Sequence, residues 1–145
     1  TLEALAHHYV CEGVRLVPMM DAQKGNVYVQ EFAWEAGVDG LTLREMHALS
    51  ILPLIEVIAA LTGTAQPALL LGDAMQKKNT IELPAHVRLA PIHARMPRAA
   101  CVGLAGLARL ARGDVDDPVA IQPLYLRRSE AEVLWEKRHG AEGAQ

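Results

Sequence analysis

Val14-Arg15-Leu16-Val17-Pro18-Met19-Met20-Asp21-Ala22-Gln23-Lys24-Gly25-Asn26-Val27-Tyr28-Val29-Gln30-Glu31-Phe32-Ala33-Trp34 is the stretch that decides the fold. Two runs rich in β-formers, residues 14–20 and 26–34, flank the polar turn 21–25, whose Gly25 tolerates the positive φ a tight hairpin needs. Apolar residues fall on both faces of each run. Strands of that kind are covered on two sides, which predicts a central sheet flanked by helices and argues against an open meander.

Working outward, Leu2, Leu5, Ala6, Tyr9 and Val10 recur at helical spacing, so residues 2–12 read as a helix stopped by Gly13. Downstream, the turn residues 37–40 introduce a third strand over 41–49. The spacing then predicts a helix over 51–62 with Leu52, Ile55, Ile58 and Ala59 on its apolar face. The apolar run 67–71 reads as a buried strand ending in Gly72-Asp73-Ala74, residues 75–84 are irregular, and a further strand fits 86–90 before Pro91. Over 95–112 a helical wheel puts Met96, Ala100, Gly103, Leu104, Leu107, Leu110 and Ala111 on one side and Arg95, Arg98, Arg109 and Arg112 on the other. The small residues of this helix would let it lie close against a sheet. After an acidic turn at 114–118 come residues 120–127 and a charged helix over 129–139.

The chain has 145 residues, 51% apolar and 21% charged, which is the size and balance of one globular domain and excludes a disordered or collagen-like chain. Its longest apolar stretch, 51–61, is interrupted by Pro53 and Glu56 and falls far short of the roughly 20 residues of a membrane span. The two cysteines, Cys11 and Cys101, form neither a disulfide framework nor a CxxC pair, and a cytoplasmic location is the expectation. Net charge is −3, but it is unevenly spread. Residues 1–75 carry −6, residues 76–112 carry +6, and residues 113–145 carry −3. The basic middle is a candidate surface for phosphate or an acidic partner, or a solvated face.

Marker motifs of common enzyme classes are missing: there is no GxSxG, no Walker A loop, no GxGxxG and no HExxH. His7 and His8 are adjacent, so on a helix their side chains diverge by about 100° and do not clamp one ion. The basic block holds no aromatic residue, which removes the stacking platform of a single-strand RNA binder. What remains is Asp21 at one strand end, Gly72 and Asp73 at another, and the arginine face. Strand ends are where α/β sheets usually bind ligands.

Several stretches, in order, resemble the TsaB (YeaZ) family. Thr1-Leu2-Glu3-Ala4-Leu5-Ala6 resembles its STLEALA segment. Asp21-Ala22 with Gly25, Val27 and Tyr28 resembles its DAR-x-GEVY hairpin, and Gly72-Asp73-Ala74 its GDG-type turn. Pro97-Arg98-Ala99-Ala100 through Leu107-Ala108 resembles its PRA helix, and Pro123-Leu124-Tyr125-Leu126-Arg127 its P-x-YLR signature. The resemblance implies an α/β fold, one lobe of the ASKHA (actin-like ATPase, RNase H-like) architecture, with a mixed sheet flanked by helices. It places that lobe over 1–128 and a charged tail over 129–145, with a first lobe preceding Thr1.

Function follows from the same resemblance. It implies a noncatalytic scaffold that partners TsaD-like and TsaE-like proteins, with tRNA reached through the complex, in forming threonylcarbamoyladenosine at position 37 of tRNA. No catalytic residue and no metal ligand are carried over, and ATP or ADP is expected only in the full complex. Gly72 and Asp73 would form a nucleotide-facing turn, where Ala74 departs from the family's second glycine. Arg95, Arg98, Arg109 and Arg112 would face a partner or tRNA. The alternative is an enzyme, glycoprotease-like (M22) or an ASKHA ATPase; a third reading is an interaction module that forms homodimers through apolar surface left by a missing lobe.

Overall fold

In a computed structural model the described residues are 1–38, 40–76, 81–124, 126 and 135. The chain divides into two compact units, Thr1–Val115 and Asp116–Gln145. In the first, the order is α1 (Leu2–Ala6), β1 (Arg15–Asp21), β2 (Asn26–Gly37), β3 (Gly40–Pro53), α2 (Leu54–Thr62), β4 (Ala68–Gly72), β5 (Val87–Leu89), a 3-10 turn (Ile92–Ala94) and α3 (Ala99–Ala111). No helix among the described residues is long and apolar enough to cross a membrane.

The five strands form one mixed sheet in the order β3-β2-β1-β4-β5. The hairpin is as its residues predict, with β1 antiparallel to β2 and Asp21 opposite Val27. β1 runs on to Asp21, one residue into the expected turn, and Gln23 and Lys24 have positive φ as well as Gly25. β4 runs parallel to β1, with Leu16 beside Leu69 and Met19 beside Gly72, and β5 runs parallel to β4. Strand β1 is therefore central, which explains why both of its faces are apolar. Val17 and Met19 enter a core under α2 with Val27, Val29, Leu54, Val57, Leu61 and Leu70. Leu16 enters a second core under α1 with Leu5, Phe32, Trp34 and Leu71. The fold is α/β with a mixed sheet flanked by helices.

Several element boundaries differ from the sequence reading. Strand β3 runs on to Pro53, because Ile51 and Leu52 pair with Tyr28 and Val27, so the second helix begins at Leu54 and not at 51. Pro53, extended at φ −58 and ψ 132, is its N-cap. The buried face is Leu54, Val57, Ile58 and Leu61, while Ile55 is exposed. The first helix stops at Ala6 and not at residue 12, since Glu12 already bridges Trp34 in the sheet.

The largest correction concerns the basic helix. It starts at Ala99, after Met96 and Pro97, and it lies against α1 and not on the sheet. Only Cys101 and Ala105 are buried, whereas Val102, Leu104, Leu107 and Leu110 are exposed. A Cβ at Gly103 or Gly106 would meet nothing within 4 Å, so these glycines make no close approach here. In the second unit the described residues include a turn in which the amides of Ala120 and Ile121 donate to the Asp117 carbonyl. Tyr125, Arg127 and the expected helix over 129–139 lie outside the described residues, except Trp135, which is helical and exposed.

Candidate functional site

Because β1 and β4 are parallel neighbours, their carboxyl ends bring Asp21 and Gly72-Asp73 together. The Asp21 amide donates to Asp73 Oδ1 at 3.4 Å, and Asp21 Oδ1 accepts from the Gln23 amide at 2.8 Å. Each carboxylate thus has a structural use in shaping the turn beside it. Gly72 has φ +89, and a Cβ there would lie 2.0 Å from the Met19 carbonyl oxygen, so β1 alone requires glycine at this position. Ala74 is buried in the core under α2, its methyl facing apolar neighbours. A pair of carboxylates at a strand end suits a polar ligand or a turn. Among the described residues no group of three His, Cys, Asp or Glu could hold a metal ion.

Of the four arginines, only Arg109 lies within α3. Arg95 precedes α3 and its Nε donates to the Ala90 carbonyl at 2.7 Å, while Arg98 is the helix N-cap and its Nη2 donates to the His93 carbonyl at 3.3 Å. Arg109 lies in the last turn, paired with Asp114 at 2.8 Å, and Arg112 is the C-cap. The helix of 13 residues is about 20 Å long, so the two pairs stand at opposite ends. The Arg109 hydrogen bonds, helped by the charge of Arg112, hold the Asp114 carboxyl below its ordinary range.

Next to the start of α3, the His7 ring meets Trp34 edge to face with centroids 5.4 Å apart. Burial lowers the pKa of His7, against a smaller opposite pull from Glu3. Burial and then the charge of Arg98 lower that of His8, which a hydrogen bond with the Ala94 backbone partly offsets. Both imidazoles accept protons more readily in the unfolded chain, so they stabilise the fold above the ordinary histidine value and lose that contribution as pH falls through the folded values. The expected result is a melting temperature that falls between about pH 7.5 and pH 5. In the double variant His7→Gln, His8→Gln that part of the slope is expected to flatten; an unchanged slope in thermal melts across the range would show that other groups set it.

A third constellation escaped the sequence reading. Arg15, Glu31 and His47 form a row across β1, β2 and β3, with Glu31 Oε2 3.5 Å from Arg15 Nη1 and 3.8 Å from His47 Nε2. The signal was present in β2: Val27, Val29 and Glu31 share parity, so a carboxylate sits where alternation calls for an apolar residue.

No protein-family model and no curated protein matches the chain at a significant level. Solved structures do match. One, described as an uncharacterized protein with similarity to peptidase YEAZ from Pseudomonas aeruginosa, aligns with a TM-score of 0.63 and 22% identity over 87% of this chain. Another, YeaZ from Pseudomonas aeruginosa, aligns with a TM-score of 0.62 and 23% identity over 86% of this chain. The match covers 56% of each of those chains, so this chain spans just over half of their length. At this identity the likeness is one of fold: a distant YeaZ-type fold.

Proposed function

We propose that the chain belongs to a TsaB-like subunit, a noncatalytic scaffold that partners a TsaD-like protein in forming threonylcarbamoyladenosine at position 37 of tRNA. The observation that carries this reading is the fold likeness to YeaZ over 86% of the chain, beside the sequence motifs that resemble the family. A TsaE-like ATPase and tRNA would join through the complex, in the cytoplasm, with any nucleotide held there. Gly72 and Asp73 would then face such a nucleotide only from the turn that Met19 already constrains.

The same reading makes residues 1–128 one lobe of a larger protein. Its support is α3, whose exposed positions are almost all apolar or glycine: a helix apolar all round belongs in an interior. Self-association through that face is what the isolated lobe would show in light scattering.

The test is co-purification of the full-length protein with a TsaD-like partner, followed by mass spectrometry of tRNA nucleosides from cells depleted of it. The expected result is a stable pair and loss of the modified adenosine; normal levels of the modified nucleoside would overturn the proposal. Among the arginines, Arg112 is exposed at the end of α3, and Arg112→Glu is expected to weaken recovery of the partner without changing the fold. Unchanged recovery would leave that end of the helix to solvent.

A further inference from the structure

A groove of about 420 Å³ lies between Glu56, Val57 and Ala60 of α2 and Glu31, His47 and Ser50 of β2 and β3. Val27 and Val29 point beneath α2 into the core, and Glu31 is the next residue on the same face of β2. Its side chain is only 14% exposed, and Oε2 is sealed from water without a hydrogen bond. Arg15 Nη1 and His47 Nε2 stand 3.5 and 3.8 Å from this oxygen, beyond the usual length of an N–H···O bond. A buried acceptor in that state is short of a donor.

Charge decides what kind of donor fits. Arg15 balances Glu31, and Glu56 on the opposite wall is exposed, leaving the groove with a net negative charge. An anion entering it would meet two carboxylates. Between those polar points the walls are apolar, with Val29, Leu52 and Val57 among them. A cation on an aliphatic stem matches both features.

We propose that this groove binds an alkylammonium group, carried by a free diamine or by a lysine side chain, with the ammonium drawn by the charges of Glu31 and Glu56. The stem lies along Val29, Leu52 and Val57. This binding is independent of any role in tRNA modification.

The experiment is an amide-resolved NMR titration of the chain with cadaverine, with Nα-acetyl-lysine methylamide, and with the Nε-acetylated form of the latter. Saturable shifts are expected at residues 47–50 and 56–60 with at least one of the two amines and none with the acetylated form. Glu31→Gln is expected to weaken binding at least tenfold, and Glu56→Gln at least threefold. Glu31→Gln removes the charge that Arg15 faces and leaves it only Gln66, so if that variant misfolds, Glu56→Gln on the exposed helix surface carries the test. Saturation by cadaverine alone assigns the site to free diamines, and by the lysine derivative alone to a protein side chain. No saturable shift with either amine, equal binding of the acetylated form, or unchanged affinity in Glu56→Gln would overturn the proposal.

Discussion

Gly72→Ala is expected to destabilise the fold by more than about 4 kcal/mol, enough to prevent soluble expression of a domain of ordinary stability. Two independent causes add at this position. The backbone sits at φ +89, which an alanine adopts only with strain, and its Cβ would lie 2.0 Å from the carbonyl oxygen of Met19 in the neighbouring strand. That neighbour is backbone in the centre of the sheet, so it has no rotamer through which to yield. Moving β1 away from β4 would open both cores at once, since Met19 lies under α2 and Leu16 under α1. Urea unfolding by circular dichroism measures the effect. Gly103→Ala is the matched control: it lies within α3 with nothing near its Cβ, and should stabilise the chain by roughly 0.5–1 kcal/mol. A Gly72→Ala protein that folds with a loss under about 1 kcal/mol would show that the two strands are less closely locked than described.

The second large effect is expected at Leu5→Ala, at about 3 kcal/mol. Leu5 is 0% exposed and anchors α1 to Leu16, Phe32 and Leu71, and a short helix has few other contacts with which to refill the space. Leu107→Ala offers the contrast. Leu107 is 62% exposed, so in this chain the change should cost less than about 0.5 kcal/mol. The same pair of substitutions tests the proposed first lobe when made in a longer protein containing it. There the Leu107→Ala cost should rise above about 1 kcal/mol if α3 is covered, while the Leu5→Ala cost should stay as it is. A Leu107→Ala cost that remains near zero in the longer protein would mean that the apolar face of α3 is not an interior surface.

How much of the site was legible differs from residue to residue. Asp21 and Gly72-Asp73 stood out as polar and glycine punctuation after apolar strands, and parallel pairing of β1 with β4 does place them side by side. Whether glycine at 72 serves a ligand or the fold was not readable, because the Met19 carbonyl that demands it comes from 53 positions earlier in the chain. The extent of the helix that carries the arginines was not readable for a related reason. A wheel assumes one uninterrupted helix, but Pro97 ends the preceding segment, and Arg95 and Arg98 spend hydrogen bonds on the carbonyls of Ala90 and His93. Glu31 was overlooked because an isolated carboxylate in a strand reads as a solvent-facing residue until its neighbours on β1 and β3 are known.

By itself, the sequence determined the class of the fold. Alternation on two faces of residues 14–34 requires a central hairpin covered by helices, and that periodicity is local, carried by side chains a few positions apart. Only the tertiary structure decided where β3 ends, which side of α2 is buried, that α3 meets α1 along Cys101 and Ala105, and that Arg15, Glu31 and His47 form one row. Each of these depends on strand register and helix docking between segments far apart in the chain. Such contacts are set by how whole faces fit together, and no window of neighbouring residues contains that information.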